Sequence, residues 1–295
     1  MCMALLKVGG SYYSQYDLRA ISALVPTEVQ QKRFYLVGEN DQHASSLLKL
    51  SYIEYPRESS RPKDYLAWVK KMTRAGHAVT ITVFMNYKMF YSVDKDDAGE
   101  YDYDHIVSVS RIESDYDDDL YHDDDVITME DHGLYAEDWD NPPYYFTYDF
   151  KGFVATRKQA NNNNHVYSIP DVPEYGNFGI AHTGIQDNNH DCLPLLVETN
   201  VNYEKPPIKN HSEDRPAAMA LTLTVTVSKL VPGVQYNLYT YNDETKVPVE
   251  AFNAAASSSV AVKVITGPSS GTFVMTESIM SDAKRIYRCV RADAK

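Results

Sequence analysis

The feature that most constrains the fold is an alternation of apolar and polar residues that starts near Ala78 and recurs along the rest of the chain. Its clearest example is Leu221, Leu223, Val225 and Val227, which alternate with threonine and serine. A period of two is typical of strands with one buried face. Further strands are predicted at Val79–Val83, His105–Val109, Val126–Met129, Tyr144–Phe150, Val260–Ile265, Thr272–Thr276 and Ile286–Val290.

The first 75 residues have a helical pattern instead. One helix is predicted over Ser14–Val25, ended by Pro26, and a second begins near Asp41. A third is expected to start at Pro62, because proline fits the first turn of a helix, and to end at Gly76.

These patterns predict two domains. Residues 1–205 are expected to form an α+β domain with N-terminal helices and an antiparallel sheet. A proline-containing linker follows, and residues 216–295 are expected to form a small antiparallel β-sandwich, because short strands and turns alternate there without a helical signal.

The formal charge of −13 is concentrated in one segment. Between Asp94 and Asp140 the chain has 19 acidic and 2 basic residues, whereas the remainder has 22 acidic and 26 basic residues. Because phosphate binding requires an excess of lysine and arginine, nucleic acid is not expected as a partner. No stretch approaches the roughly 20 apolar residues that a membrane helix needs, so no membrane span is predicted. The acidic segment favours a protein or peptide partner that is cationic.

The cysteines and one glycosylation sequon at Asn210 favour a secreted or cell-surface protein. Cys192 and Cys289 lie near the ends of separate strand-like stretches. A disulfide between them would tie the C-terminal region to the middle of the chain, although pairing cannot be deduced from sequence. Cys2 would remain unpaired. The N-terminal apolar run is too short for a signal peptide, and N-terminal processing is expected to precede it.

His105 is the titratable residue that most strongly indicates a catalytic role, because it opens a predicted strand and shares a face with Val107 and Val109. The next predicted strand is followed by Asp131. If the two strands pair antiparallel, the start of the first lies beside the end of the second, which brings Asp131 within reach of His105. Such a pair is the base and orienting acid of a nucleophilic triad. The alternative is a strand-end histidine in an acidic region.

Several short motifs occur in a suggestive order. They are Tyr12-Tyr13-Ser14-Gln15-Tyr16-Asp17, the helix of Trp68 followed by Gly76-His77-Ala78-Val79, Tyr103-Asp104-His105-Ile106-Val107, and Asp131. Over roughly residues 1–200 this order resembles the C39-like (bacteriocin-processing, papain-like) cysteine peptidase family. The resemblance implies a papain-like fold, with His105 and Asp131 as catalytic residues beside a cysteine nucleophile and an oxyanion-hole glutamine.

The same resemblance places the family's cysteine upstream of Met1, and no glutamine precedes that position here. The first hypothesis is therefore a catalytically inactive C39-like homologue that acts as an extracellular binding or structural component. The second is an active cysteine peptidase whose nucleophile-bearing N-terminus is missing from this chain. In a third, Cys2 serves as the nucleophile through a shifted helix start.

The segment Leu230–Tyr236 resembles the corner of fibronectin type III domains, in which a tyrosine hydroxyl hydrogen-bonds back across the turn. Such domains more often bind partners or act as spacers between other domains than catalyse reactions.

The aspartates between 115 and 125 supply the hard oxygen ligands that Ca²⁺ prefers, but their spacing is not that of an EF-hand. A calcium-binding acidic surface is therefore an alternative to a solvated acidic loop. The histidines have no zinc spacing, and no cofactor or metal is predicted.

Overall fold

A computed structural model describes residues 2–14, 17–18, 21, 39–56, 61–90, 105–130, 145–171, 177–200 and 217–294 of the chain. The helices are α1 (Cys2–Lys7), α2 (Glu39–Leu47), α3 (Pro62–Arg74), α4 (Tyr87–Phe90), α5 (Phe150–Phe153) and α6 (Arg157–Ala160). The first strands are β1 (Ser11–Tyr12), β2 (Leu50–Glu54), β3 (Ala78–Met85), β4 (His105–Glu113), β5 (Val126–Glu130), β6 (Tyr145–Asp149), β7 (Val154–Ala155) and β8 (Tyr167–Pro170). The remaining strands are β9 (Gly179–Ile185), β10 (Leu195–Thr199), β11 (Ala220–Val227), β12 (Gln235–Tyr241), β13 (Ala261–Thr266), β14 (Phe273–Met280) and β15 (Arg285–Arg291).

The predicted α+β, papain-like fold class is wrong. Strands account for 41% and helices for 20% of the structure, and the strands are mostly antiparallel. The helical pattern of the first 75 residues forms short helices in the described part, of which α3, with 13 residues, is the longest. The predicted helix over Ser14–Val25 lies largely outside the described residues. The period-two pattern therefore determines the fold class.

Individual elements agree with the sequence patterns more closely. Helix α3 has proline at its first turn and buries Tyr65, Leu66 and Val69 along one face. The chain leaves this helix at Gly76, whose φ of 84° lies in the left-handed region that glycine adopts without strain. Strands β3, β4, β5, β6, β11, β13, β14 and β15 occur where the alternation predicts them.

The chain divides into two compact units that do not follow the order of the sequence. Unit 1 comprises Met1–Tyr52, His182–Glu204 and Ser212–Lys295, and unit 2 comprises Ile53–Ala181 and Lys205–His211. The predicted division into 1–205 and 216–295 is continuous in sequence, whereas in the structure the first 52 residues group with the C-terminal strands.

Unit 2 is built on an antiparallel sheet. Strand β3 pairs with β4, β4 with β5, and β5 with β6, while β8 pairs with β3 and, in parallel, with β7. Helix α3 contributes Tyr65, Leu66 and Val69 to a core that also contains Ile81 and Ile127. Strand β3 is buried along nearly its whole length, because this core and its neighbouring strands enclose it.

Unit 1 contains two antiparallel sheets. One has the strand order β1-β15-β12-β13 and the other β10-β11-β14. Apolar residues of both sheets share one core, which includes Val197, Val225, Leu238 and Cys289. Strands β11 to β15 lie within the predicted sandwich range of 216–295, and β1 and β10 complete the two sheets from outside it.

Within the described part of the chain, no helix has the length and apolar character required to cross a membrane.

The turn before β12 has the hydrogen bond that the fibronectin-like motif implied. The backbone N–H of Val231 donates to the hydroxyl oxygen of Tyr236 at 2.9 Å. Gly267 packs against the same turn, and a Cβ at this position would lie 2.1 Å from the carbonyl oxygen of Val231. The turn is therefore fixed both by a side-chain hydrogen bond and by close backbone packing.

Replacing Tyr236 by phenylalanine is expected to lower the free energy of unfolding by about 1–2 kcal/mol, because the Val231 N–H loses its acceptor. Urea denaturation followed by tyrosine fluorescence measures this. Tyr145→Phe, at a side chain that is 65% exposed, is the matched control and should change stability little. Equal effects of the two substitutions would contradict the role of the hydrogen bond.

Candidate functional site

The acidic loop, defined here as residues 114–125, connects β4 to β5 in unit 2. It carries seven aspartates. Those exposed to solvent are Asp115, Asp117, Asp119, Asp123 and Asp124. A run of like charges is normally mobile because it repels itself. The contacts of this loop show what holds it in place.

A buried ion pair fixes the end of the loop to helix α3. The ammonium group of Lys70, on α3, lies 2.8 Å from Oδ2 of Asp125, and both side chains have 0% exposure. The same ammonium donates to the carbonyl oxygen of Leu120 at 3.1 Å. Oδ2 of Asp125 also accepts the N–H of His122. A charge removed from water needs this degree of pairing and hydrogen bonding.

Basic residues of neighbouring helices hold the outer part of the loop. Arg74 donates to the backbone carbonyl of Asp118 and lies 2.8 Å from the carboxylate of Asp117. Lys63 and Lys151 lie 3.7 and 3.5 Å from the two carboxylate oxygens of Asp123. These exposed pairs contribute little stability individually, but together they set the position of the loop.

An aromatic pair completes the loop. The rings of Tyr116 and His122 stack with 3.6 Å between centroids, and the imidazole Nε2 of His122 lies 2.9 Å from Oδ1 of Asp118. This hydrogen bond is the main reason why the pKa of Asp118 is lowered. The charge of Asp124 is the main cause of a raised pKa at Tyr116. The loop therefore keeps a negative field at its surface despite its basic partners.

The described residues do not group the carboxylates of the loop into a metal site. Among the residues that the structure describes, no group of three or more histidine, cysteine, aspartate or glutamate side chains converges on a point where a metal ion would be held. The carboxylates point to lysine, arginine and histidine or to solvent. This arrangement offers no support for the calcium-binding alternative.

His105 lies where the strand prediction placed it. It opens β4, pairs with Val83 of β3, and stacks on the ring of Tyr167 with 5.3 Å between centroids. Strands β4 and β5 are antiparallel neighbours, and their pairing extends to Ser108 opposite Glu130. Asp131 lies outside the described residues, so the proposed pairing of His105 with Asp131 stays a prediction.

The two cysteines that the structure describes in full are free thiols. The disulfide considered between Cys192 and Cys289 is therefore not formed, although the N–H of Leu193 donates to the carbonyl of Cys289. Burial raises the pKa of Cys289 to about 12 and also raises that of Cys192. A thiol that stays protonated at neutral pH is a poor nucleophile.

A second histidine lies in a hydrogen bond that resembles part of a catalytic dyad. Oγ of Ser45, on α2, lies 3.0 Å from Nε2 of His182, on β9. Both side chains are buried, and Nδ1 of His182 has no hydrogen-bond partner among the described residues. Desolvation lowers the pKa of His182 to about 3. Among the described residues the pair has neither the orienting acid nor the access that a nucleophile requires, and we interpret it as structural.

Sequence reasoning missed Lys70 and the Ser45–His182 pair. Lys70 follows Leu66 by four residues and so lies on the apolar face of α3, a position from which lysine normally extends to solvent. A lysine on an otherwise apolar helix face, in a chain that also contains a strongly acidic segment, is the signal that could have identified it. For His182 the flanking strand pattern offers no such signal.

Comparisons of the chain with protein-family models, with curated proteins and with solved structures find no match. The resemblance to C39-like peptidases and to fibronectin type III domains therefore stays a prediction from the motifs.

Replacing Lys70 by methionine is expected to lower the free energy of unfolding by about 3–5 kcal/mol, because the carboxylate of Asp125 would remain buried without its cation. Chemical denaturation of the full-length chain measures this loss.

Lys63→Met is the matched control, because Lys63 makes an exposed pair with the same loop. Its cost should stay below about 1 kcal/mol. If K70M is as stable as K63M, the buried pair does not anchor the loop.

His182 is expected to make the protein less stable on acidification. Its pKa is about 3 in the folded state and 6.5 when unperturbed, so the unfolded chain binds the proton more tightly between these values. The contribution of neutral His182 to the free energy of unfolding is complete above pH 6.5. It is lost as the pH falls towards 3, and the loss is roughly 2 kcal/mol at pH 5.

Unfolding free energies of the wild type and of His182→Gln between pH 8 and pH 5 measure this effect. H182Q should lack this component of the pH dependence, and His43→Gln, at an exposed histidine of the same helix as Ser45, should retain it. Parallel pH profiles for the wild type and H182Q would show that His182 is not buried in its neutral form.

Proposed function

We propose that this protein is a non-catalytic binding component whose acidic loop recognises a cationic segment of a protein or peptide. The observation that carries the proposal is the division of charge within the loop. Lys70 neutralises the buried Asp125 on its inner side, whereas Asp115 and Asp124 are exposed and have no basic partner in the described part of the chain.

Carboxylates that are held in place bind a partner at a lower entropic cost than the carboxylates of a flexible acidic tail. A mobile charged segment must lose conformational entropy when it binds. The contacts of Lys70, Arg74 and Asp125 hold the acidic loop before any partner arrives. The electrostatic field above it would attract lysine and arginine side chains and increase the rate of association.

The chemistry of the described thiols supports a non-catalytic function. Cys289 is buried and Cys192 is partly buried, and both remain protonated at neutral pH, so neither supplies a thiolate. The proposal keeps the non-catalytic role of the first hypothesis without the papain-like fold that the structure contradicts.

The proposal is tested with the double variant Asp115→Asn/Asp124→Asn and a fluorescein-labelled oligo-arginine peptide. Both substitutions are at exposed positions and keep the side-chain volume, so the loop should keep its conformation. Two lost surface charges are expected to weaken binding by roughly fivefold. Fluorescence anisotropy at low ionic strength measures the dissociation constant, and added salt should weaken binding to the wild type.

The control is Glu198→Gln/Glu250→Gln, which removes the same charge from exposed positions in unit 1. It should bind as the wild type does. Equal weakening by both double variants would show that net charge rather than the acidic loop is recognised. Absence of binding to the wild type at low salt would overturn the proposal.

A further inference from the structure

Unit 1 contains a buried arginine in an unusual position. Residues 286–290 of β15 are all buried, so this strand has no solvent-facing side in its centre. Arg288 is 0% exposed. Arginine keeps its charge in proteins, and a buried charge is costly unless it is paired and hydrogen-bonded.

Only one part of the Arg288 guanidinium is satisfied. Nη1 donates to the carbonyl oxygens of Gly9 at 3.0 Å and Tyr287 at 2.8 Å. Nε and Nη2 have no hydrogen-bond partner among the described residues. The carboxylate of Asp187, the acid whose charge acts on Arg288, is hydrogen-bonded to the backbone N–H groups of Cys192 and Asn189.

The two unsatisfied nitrogens form one edge of the guanidinium group. Two parallel N–H groups on such an edge match the two oxygens of a carboxylate or a phosphate, which is why arginine binds these anions in a bidentate manner. The edge that a bidentate anion would use is thus the edge of Arg288 that the described residues leave open.

One tyrosine hydroxyl belongs to the same face of the sheet as Arg288. Tyr241 is opposite Ile286, two residues before Arg288 on the neighbouring strand. Because alternate residues of a strand share a face, Tyr241 and Arg288 lie on the same side. Their positions are diagonal to one another, within reach of long side chains.

The hydroxyl of Tyr241 is buried and makes no hydrogen bond of ordinary geometry within the described part of the chain, although the side chain of Ser258 lies near it. Burial raises the pKa of Tyr241 to about 12, so its hydroxyl keeps its proton at neutral pH. The unsatisfied groups are therefore donors: the N–H groups of Nε and Nη2 of Arg288 and the O–H of Tyr241, with a positive charge.

We propose that Arg288 and Tyr241 bind a small oxyanion, with the Nε/Nη2 edge of Arg288 holding two of its oxygens and the Tyr241 hydroxyl donating to it. The ligand supplies the counter-charge and the acceptors that these side chains need. Its chemistry is that of a small carboxylate or inorganic phosphate, and the burial of both side chains limits its size.

The test is thermal unfolding of the full-length chain with increasing sodium formate, acetate or phosphate, with sodium chloride keeping the ionic strength constant. The wild type should gain thermal stability in a saturable manner with at least one of these oxyanions, because a ligand that binds only the folded state stabilises it. Comparison of formate and acetate with phosphate distinguishes a carboxylate from a phosphate site. A melting temperature that follows ionic strength alone would overturn the proposal.

Two variants make the test specific. Tyr241→Phe preserves the ring and should weaken the dissociation constant for the oxyanion about tenfold, because one hydrogen bond to a charged group is lost. Arg288→Met should abolish the response. Y241F alone decides the question if R288M does not fold, and a Y241F response equal to that of the wild type would contradict the site.

Tyr239→Phe is the matched control. Tyr239 is directly opposite Arg288 on the same face, but its hydroxyl is bonded to Asn253 at 2.8 Å. Y239F should lower stability without changing the affinity for the oxyanion. A loss of affinity equal to that in Y241F would show that the effect is structural and would count against the proposal.

Discussion

The buried contact between Lys70 and Asp125 is the interaction on which the arrangement of the acidic loop depends. A lysine ammonium on the apolar side of α3 requires an anion, and Asp125 supplies it at the end of the loop. The backbone oxygen of Asp125 accepts the N–H of Phe150, and that of Asp123 accepts the N–H of Lys151. One ion pair thereby links α3, the loop and α5. Without it the remaining pairs are exposed, and exposed pairs are too weak to position seven aspartates.

The two units accommodate buried charge differently. In unit 2 the cation Lys70 has its anion within the chain, so the charge is part of the packing. In unit 1 the cation Arg288 has two backbone acceptors and no ion pair among the described residues. Lys70 is balanced by an opposite charge within the fold, even though Oδ1 of Asp125 has no hydrogen-bond partner among the described residues. The unsatisfied donors of Arg288 have no such balancing charge bonded to them and indicate an absent partner. This difference led us to assign a structural role to the first charge and a ligand to the second.

Sequence reasoning predicted what depends on local periodicity and missed what depends on distant contacts. Strands β3, β4 and β11 were predictable because apolar and polar residues alternate along their sequences. The antiparallel pairing of β4 with β5, which the sequence analysis assumed, occurs in the structure. Strand β1 has two residues, which carry no periodic signal, and it exists because β15 pairs with it. The α+β class was wrong because the spacing of apolar residues before residue 75 indicated more helix than the described part of the structure contains. Buried polar groups such as Lys70, His182 and Arg288 were missed because their environment comes from segments far away in sequence.

The pairing of Ser11 with Ile286 has a consequence for how the protein reaches its native state. Closing a loop that includes almost the entire chain is entropically slow, and contacts of such high sequence separation form late. During synthesis β15, the sheet partner of β1, emerges from the ribosome long after β3 to β8. Unit 2 can therefore fold co-translationally, while unit 1 must wait for its C-terminal strands. Chain termination before β15 would leave an N-terminal segment without its pairing strand, a state open to chaperone binding and proteolysis.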